Sequence, residues 1–132
     1  MNYSVFKNEL RNLFAYERSL LMLVGEIEEL VYEMTGVKGI NYSKIPASTN
    51  TEITEERRLE MIEQLNELET EKKRLELNIR HIYGTLSMLN EKDRKAMVDL
   101  VAKRIRAEEV AFNNGYSKSG IWKRIRKEIE KL

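Results

Sequence analysis

The chain has 132 residues, one ordinary domain in length, with 42% hydrophobic and 34% charged residues, six glycines, one proline and no cysteine. Without cysteine there is no disulfide, zinc-thiolate site or thiol nucleophile, and one histidine, His81, with two aspartates, Asp93 and Asp99, is too little for a Ser-His-Asp triad or a histidine-rich metal cage. The formal net charge of +1 conceals a division: residues 1–90 hold 11 Lys+Arg against 15 Asp+Glu, a net of −4, whereas residues 91–132 hold 12 against 7, a net of +5.

The opening MNYSVFKNEL carries Lys7 and Glu9 and lacks the apolar core of a signal peptide. From Phe6 onward, Phe6, Leu10, Leu13, Leu20, Val24, Ile27, Val31 and Met34 alternate steps of three and four, with only Glu17 interrupting. Such a seam predicts a long amphipathic helix built for coiled-coil packing. The run Leu20 to Val24 is far shorter than the roughly 20 apolar residues of a membrane span, so a soluble, cytoplasmic protein is expected. Gly36, Gly39, Pro46 and a Ser-Thr-Asn cluster break the pattern and predict a loop at about 35–53.

Thr54, followed by Glu55 and Glu56, is a fitting helix start, because its hydroxyl can accept an orphan N–H and the carboxylates suit the positive helix end. A second seam then runs through Met61, Leu65, Leu68, Leu75, Ile79, Ile82, Leu86 and Leu89, with Lys72 at the polar position. Two such helices are expected to pack as an antiparallel hairpin over residues 1–89, each about 45 to 55 Å long. Leu20 to Val24 place apolar groups nearly all round the first helix, more than one partner helix covers, so a homodimer in a four-helix arrangement is expected. Glutamates from Glu26 to Glu33 and from Glu63 to Glu71 lie mostly off the seams and read as solvated faces. His81 reads as a flanking helix residue.

Residues 90–132 carry the functional signal. Asn90 is expected to cap a third helix with Ala96, Met97, Leu100 and Val101 inward and Lys92, Arg94 and Lys95 outward. A short AEEVAF helix, the run Asn113-Asn114-Gly115-Tyr116 and a last helix opened by Ser117 then form a helix, a glycine turn and a helix. Ala111 is small where the helices cross, Gly115 can adopt the positive φ of the turn, and Ile121, Ile125, Ile129 and Leu132 make an inward stripe. At 100° per residue the outward face is Ser119, Lys123, Arg126, Lys127 and Glu130. Hydrogen-bond donors along a helix after such a turn suit major-groove reading. Lys118, Ser119, Lys123 and Arg126 are expected at bases, and Arg104, Arg124 and Lys127 at phosphates. Trp122, on the flank, is a candidate for stacking on DNA, with packing against the third helix or the hairpin the favoured reading.

The run RAEEVAFNNGYSKSGIWKRIRKEIEKL resembles the helix-turn-helix of region four in bacterial sigma factors, through Glu108-Glu109-Val110-Ala111, Gly115-Tyr116-Ser117, Lys123-Arg124-Ile125-Arg126 and Leu132. With the preceding hairpin, the chain is similar to small phage and prophage regulators of Firmicutes, the ArpU/RinA-like group. This resemblance implies binding to promoter duplex in the major groove, with RNA polymerase as a further partner. It departs from the pattern at Asn114, where a leucine is usual before the turn glycine, and at Gly120, where a threonine-like residue is common. Two other readings stand beside this one: a small terminase-like packaging or assembly component that forms a ring, and a coiled-coil interaction protein whose basic end binds an acidic partner. No nucleophile, ligand cluster or phosphate-cradling glycine loop points to an enzyme, a cofactor or a metal.

Overall fold

The computed structural model describes residues 1–36 and 54–132, and all their regular structure is helical. The helices are α1 (Tyr3–Arg11), α2 (Leu13–Thr35), α3 (Glu55–Ser87), α4 (Glu91–Met97), α5 (Ala107–Asn114) and α6 (Lys118–Glu130). α4 runs on into a π-helical segment, Val98–Ala102. Most of the loop expected at about 35–53, including Pro46, lies outside the described residues. None of the described helices is long and apolar enough to cross a membrane.

The expected single first helix is divided at Asn12. Its backbone leaves the helical region (φ −95°, ψ 3°), its N–H turns back to the carbonyls of Glu9 and Leu10, and its side-chain amide donates to the Asn8 carbonyl at 3.0 Å. A short polar side chain that bonds the preceding turn competes with the helical ladder, which the periodicity of the apolar seam does not register. The helix starts are local and follow expectation. Thr54 Oγ1 accepts the Arg57 N–H at 3.1 Å, Asn90 Oδ1 the Asp93 N–H at 2.8 Å, and Ser117 Oγ the Gly120 N–H at 3.1 Å.

By its contacts the chain divides into two compact units: residues 1–16 with 78–132, and residues 17–77. The boundary expected at 89/90 therefore falls inside the first unit. The core of that unit explains why. Phe6 and Leu10 from α1, Leu13, and Ile82, Leu86 and Leu89 around the end of α3 share one buried cluster with Met97, Leu100, Val101, Val110, Ala111, Ile121, Ile125 and Ile129. Three short helices alone enclose too little apolar surface, and the N-terminal helix supplies the missing side. Leu132, expected in the inward stripe, is 36% exposed, because α6 ends at Glu130 and the stripe ends with Ile129.

In the second unit, Ile27, Leu30, Val31 and Met34 of α2 pack with Met61 and Leu65 of α3, flanked by Leu68. Arg57 and Glu33 join the two helices at 3.4 Å. Most residues of both seams are buried, whereas Leu20, Val24, Leu68 and Ile79 are half-buried. Leu21 and Met22 remain 74% and 69% exposed.

The shared core makes the first prediction. Phe6→Ala should destabilise the first unit by about 3 to 5 kcal/mol, as for a fully buried aromatic. A fragment of residues 90–132, deprived of α1 and the end of α3, should show no cooperative urea transition by circular dichroism. A stable, cooperative fragment would mean that the N-terminal helix is only an accessory to this core.

Candidate nucleic-acid interface

α5 and α6 meet through a turn built by three residues. Gly115 lies in the left-handed region (φ 74°, ψ 25°), and the N–H of Tyr116 reaches back to the Ala111 carbonyl at 2.8 Å. A side chain at Gly115 would be strained there. Asn114 donates from its side-chain amide to the Val110 carbonyl at 2.7 Å, which ties the end of α5 to its preceding turn. Gly120 also has a local reason, since a Cβ on it would stand 2.9 Å from the capping Ser117 Oγ.

Ile121, Ile125 and Ile129 are each at most 1% exposed and fix the rotation of α6. Ser119, Lys123, Arg126, Lys127 and Glu130 are accordingly all exposed. Lys123, Arg126, Lys127, Glu130 and Lys131 line an open groove of about 440 Å³. Among the described residues, neither Lys123 nor Lys127 pairs with a carboxylate. Arg126 is held by Glu130 at 2.9 Å, and that bond raises its pKa further. Lys118 is bound to Glu108 at 3.1 Å. The Glu108 carboxyl sits below its usual range, first through its own backbone N–H and then through Lys118.

Arg124 is turned elsewhere. Its guanidinium reaches Asp93 at 3.2 Å and Glu128 at 3.4 Å, and the Asp93 bond is the main cause of its raised pKa. Asp93 is 7% exposed, also accepts from the Asn90 side chain at 2.9 Å, and so ties the start of α4 to the middle of α6. Arg94 closes the neighbouring helix end, donating to the Leu86 and Leu89 carbonyls at 3.2 Å each. Arg124 was expected at a phosphate. Its bonds make it a clamp between helices.

Trp122 packs against the core of the first unit, the favoured of its two readings. Its ring carries Lys7 Nζ 4.4 Å above the centroid, and the Tyr3 ring is approached by Lys7 at 5.8 Å and Arg126 at 5.9 Å. Burial pushes the Tyr3 phenol above its ordinary pKa, with Arg126 pulling the other way. Arg104 is exposed and, without being glycine, holds a left-handed backbone (φ 56°). Periodicity assigned Lys7 and Arg11 to the coiled-coil helix and to no site. Their spacing from Tyr3 in steps of four was the available signal that all three share a helix face.

Among the described residues no group of three or more His, Cys, Asp or Glu side chains could hold a metal ion. His81 is exposed, 3.6 Å from Glu9. The first unit as a whole carries 15 Lys+Arg against 8 Asp+Glu, a net of +7, and the second 8 against 14, a net of −6. Comparison with family models, curated proteins and solved structures matches none of them to this chain.

The clamp predicts a stability effect at a distance from the exposed lysines. Asp93→Ala should cost about 2 kcal/mol, the scale of a partly buried charged hydrogen-bond set, read as a lower urea midpoint. An unchanged midpoint would show that the isoleucine stripe alone holds α6.

Proposed function

We propose that the chain is a sequence-specific, double-stranded DNA-binding transcriptional regulator in which α5, the Gly115 turn and α6 form a helix-turn-helix with α6 in the major groove. One observation carries this reading: α6 buries its isoleucines and leaves Ser119, Lys123, Arg126 and Lys127 exposed on one face, within a unit of net charge +7. A helix that presents exposed donors from a strongly basic support suits a polyanion that also carries a hydrogen-bond code.

Within this reading Ser119, Lys123 and Arg126 face bases, while Lys127 meets the backbone. Lys118 reaches DNA only by releasing Glu108, and Arg124 acts through the position of α6. Glu130 favours a dynamic role for Arg126, since an exposed ion pair of this kind is easily exchanged for a base or phosphate. The acidic second unit serves as a hairpin arm, and a second copy covering Leu21 and Met22 makes the protein a homodimer. The resemblance to sigma region four adds promoter duplex as the DNA, RNA polymerase as a second partner, and the regulator type found in phages and prophages.

The test is selection from a randomised duplex pool at near-physiological salt. The parent should enrich a defined motif, and two half-sites at a fixed spacing would report two copies. Lys123→Ala with Arg126→Ala should erase the motif, whereas Lys127→Ala should weaken all duplexes alike and reduce the salt slope by about 1. A motif retained by the double variant would remove α6 from the reading. Weak, salt-sensitive binding without enrichment would reduce the basic unit to an electrostatic patch.

A further inference from the structure

A second cationic surface lies beside α6. Lys7, Arg11, Leu100, Val101, Arg104 and Trp122 line a cleft of about 390 Å³, and none of the six is acidic. Three cations from two segments meet there, two from α1 and one from the stretch after the π-helical turn. Among the described residues none of the three forms an ion pair with a carboxylate. The apolar Leu100 and Val101 lie among them, as does the indole of Trp122, whose face Lys7 covers.

The surface continues onto the outward side of α6. Tyr3, Lys7 and Arg11 follow one another at single-turn spacing along α1, as do Trp122 and Arg126 along α6, and the two rows touch at Lys7 with Trp122 and at Arg126 with Tyr3. Cations are thus arranged along a line and not around a closed cage, which suits a linear polyanion better than a small ion. Arg104 strengthens the case. An arginine in left-handed backbone is conformationally costly where glycine or asparagine would be at ease, and it stands exposed at the rim of this cleft.

We infer that the N-terminal helix is a second DNA-contacting element, with Lys7, Arg11 and Arg104 taking backbone phosphates beside the groove entered by α6. This inference rests on the DNA-binding reading above. Lys7 and Arg11 set affinity and register without reading bases, since their partners are phosphates. Trp122 holds Lys7 in place and is not a stacking platform.

The experiment uses the full chain and a duplex carrying the motif enriched by the parent, or a random duplex if none is enriched. Binding is followed by fluorescence anisotropy across a series of potassium chloride concentrations. Lys7→Gln with Arg11→Gln should flatten the slope of log affinity against log salt by about 1.8 and weaken binding roughly thirtyfold near 0.15 M salt, with the preferred motif unchanged. Arg104→Gly should flatten it by about 0.9 while raising the thermal unfolding midpoint. Opposite movement of affinity and stability separates a lost contact from a damaged fold.

Unchanged slopes in both variants, with a parent that binds and a Lys123/Arg126 variant that loses the motif, would overturn this inference and leave the α6 reading standing. A parent that binds no duplex would overturn both. Trp122, the single tryptophan, supplies a further readout. If inorganic phosphate or pyrophosphate shifts its emission and duplex does not, the cleft holds small anions and the inference fails.

Discussion

The burial of Ile121, Ile125 and Ile129 governs the rest of the basic unit. Three β-branched side chains one turn apart, each almost wholly removed from water, permit only one rotation of α6 about its axis. The opposite face is then fixed with no further instruction, and so is the identity of the cations that water can reach. The stripe cannot fill its own socket from α4 and α5 alone. It is completed by Phe6 and Leu10 from one end of the chain and by Ile82, Leu86 and Leu89 from its middle. The exposed face of α6 therefore depends on residues more than a hundred positions away.

Polar bonds refine what the apolar stripe sets. Asp93 is nearly buried and satisfied by Asn90 and Arg124, so it links the cap of α4 to α6 with directional hydrogen bonds that hydrophobic packing lacks. Arg94 does comparable work at the end of α3. Several basic residues of this unit are thus structural ties, and the local density of positive charge overstates the number of cations free to meet a ligand. Lys123, Lys127, Lys7, Arg11 and Arg104 are among those that remain after that subtraction.

Features decided within a few residues could be read directly from the chain. Asn90, Ser117 and Thr54 cap and Gly115 adopts positive φ, because each depends on neighbours inside one or two turns. What could not be read depends on partners distant in sequence. Arg124 meets Asp93 across 31 positions, and nothing in the run Lys123-Arg124-Ile125-Arg126 distinguishes it from the exposed Arg126. Membership of α1 in the basic unit was equally hidden, since its heptad spacing continues smoothly into α2 and masks both the break at Asn12 and the change of packing partner. The exposed face of α6 followed from helical geometry, whereas the α1 face needed the contact between Lys7 and Trp122.

The separation of charge has a consequence for how the protein behaves in solution. With a net of +7 on one unit and −6 on the other, a chain of formal charge +1 is a macroscopic zwitterion. Its bulk neutrality describes neither end. Below about 0.1 M ionic strength, where screening lengths exceed about 10 Å, the basic unit of one molecule should attract the acidic unit of the next, and both cation and anion exchangers should retain the protein. Salt then has two opposed effects, loosening any grip on a polyanion while freeing molecules from one another.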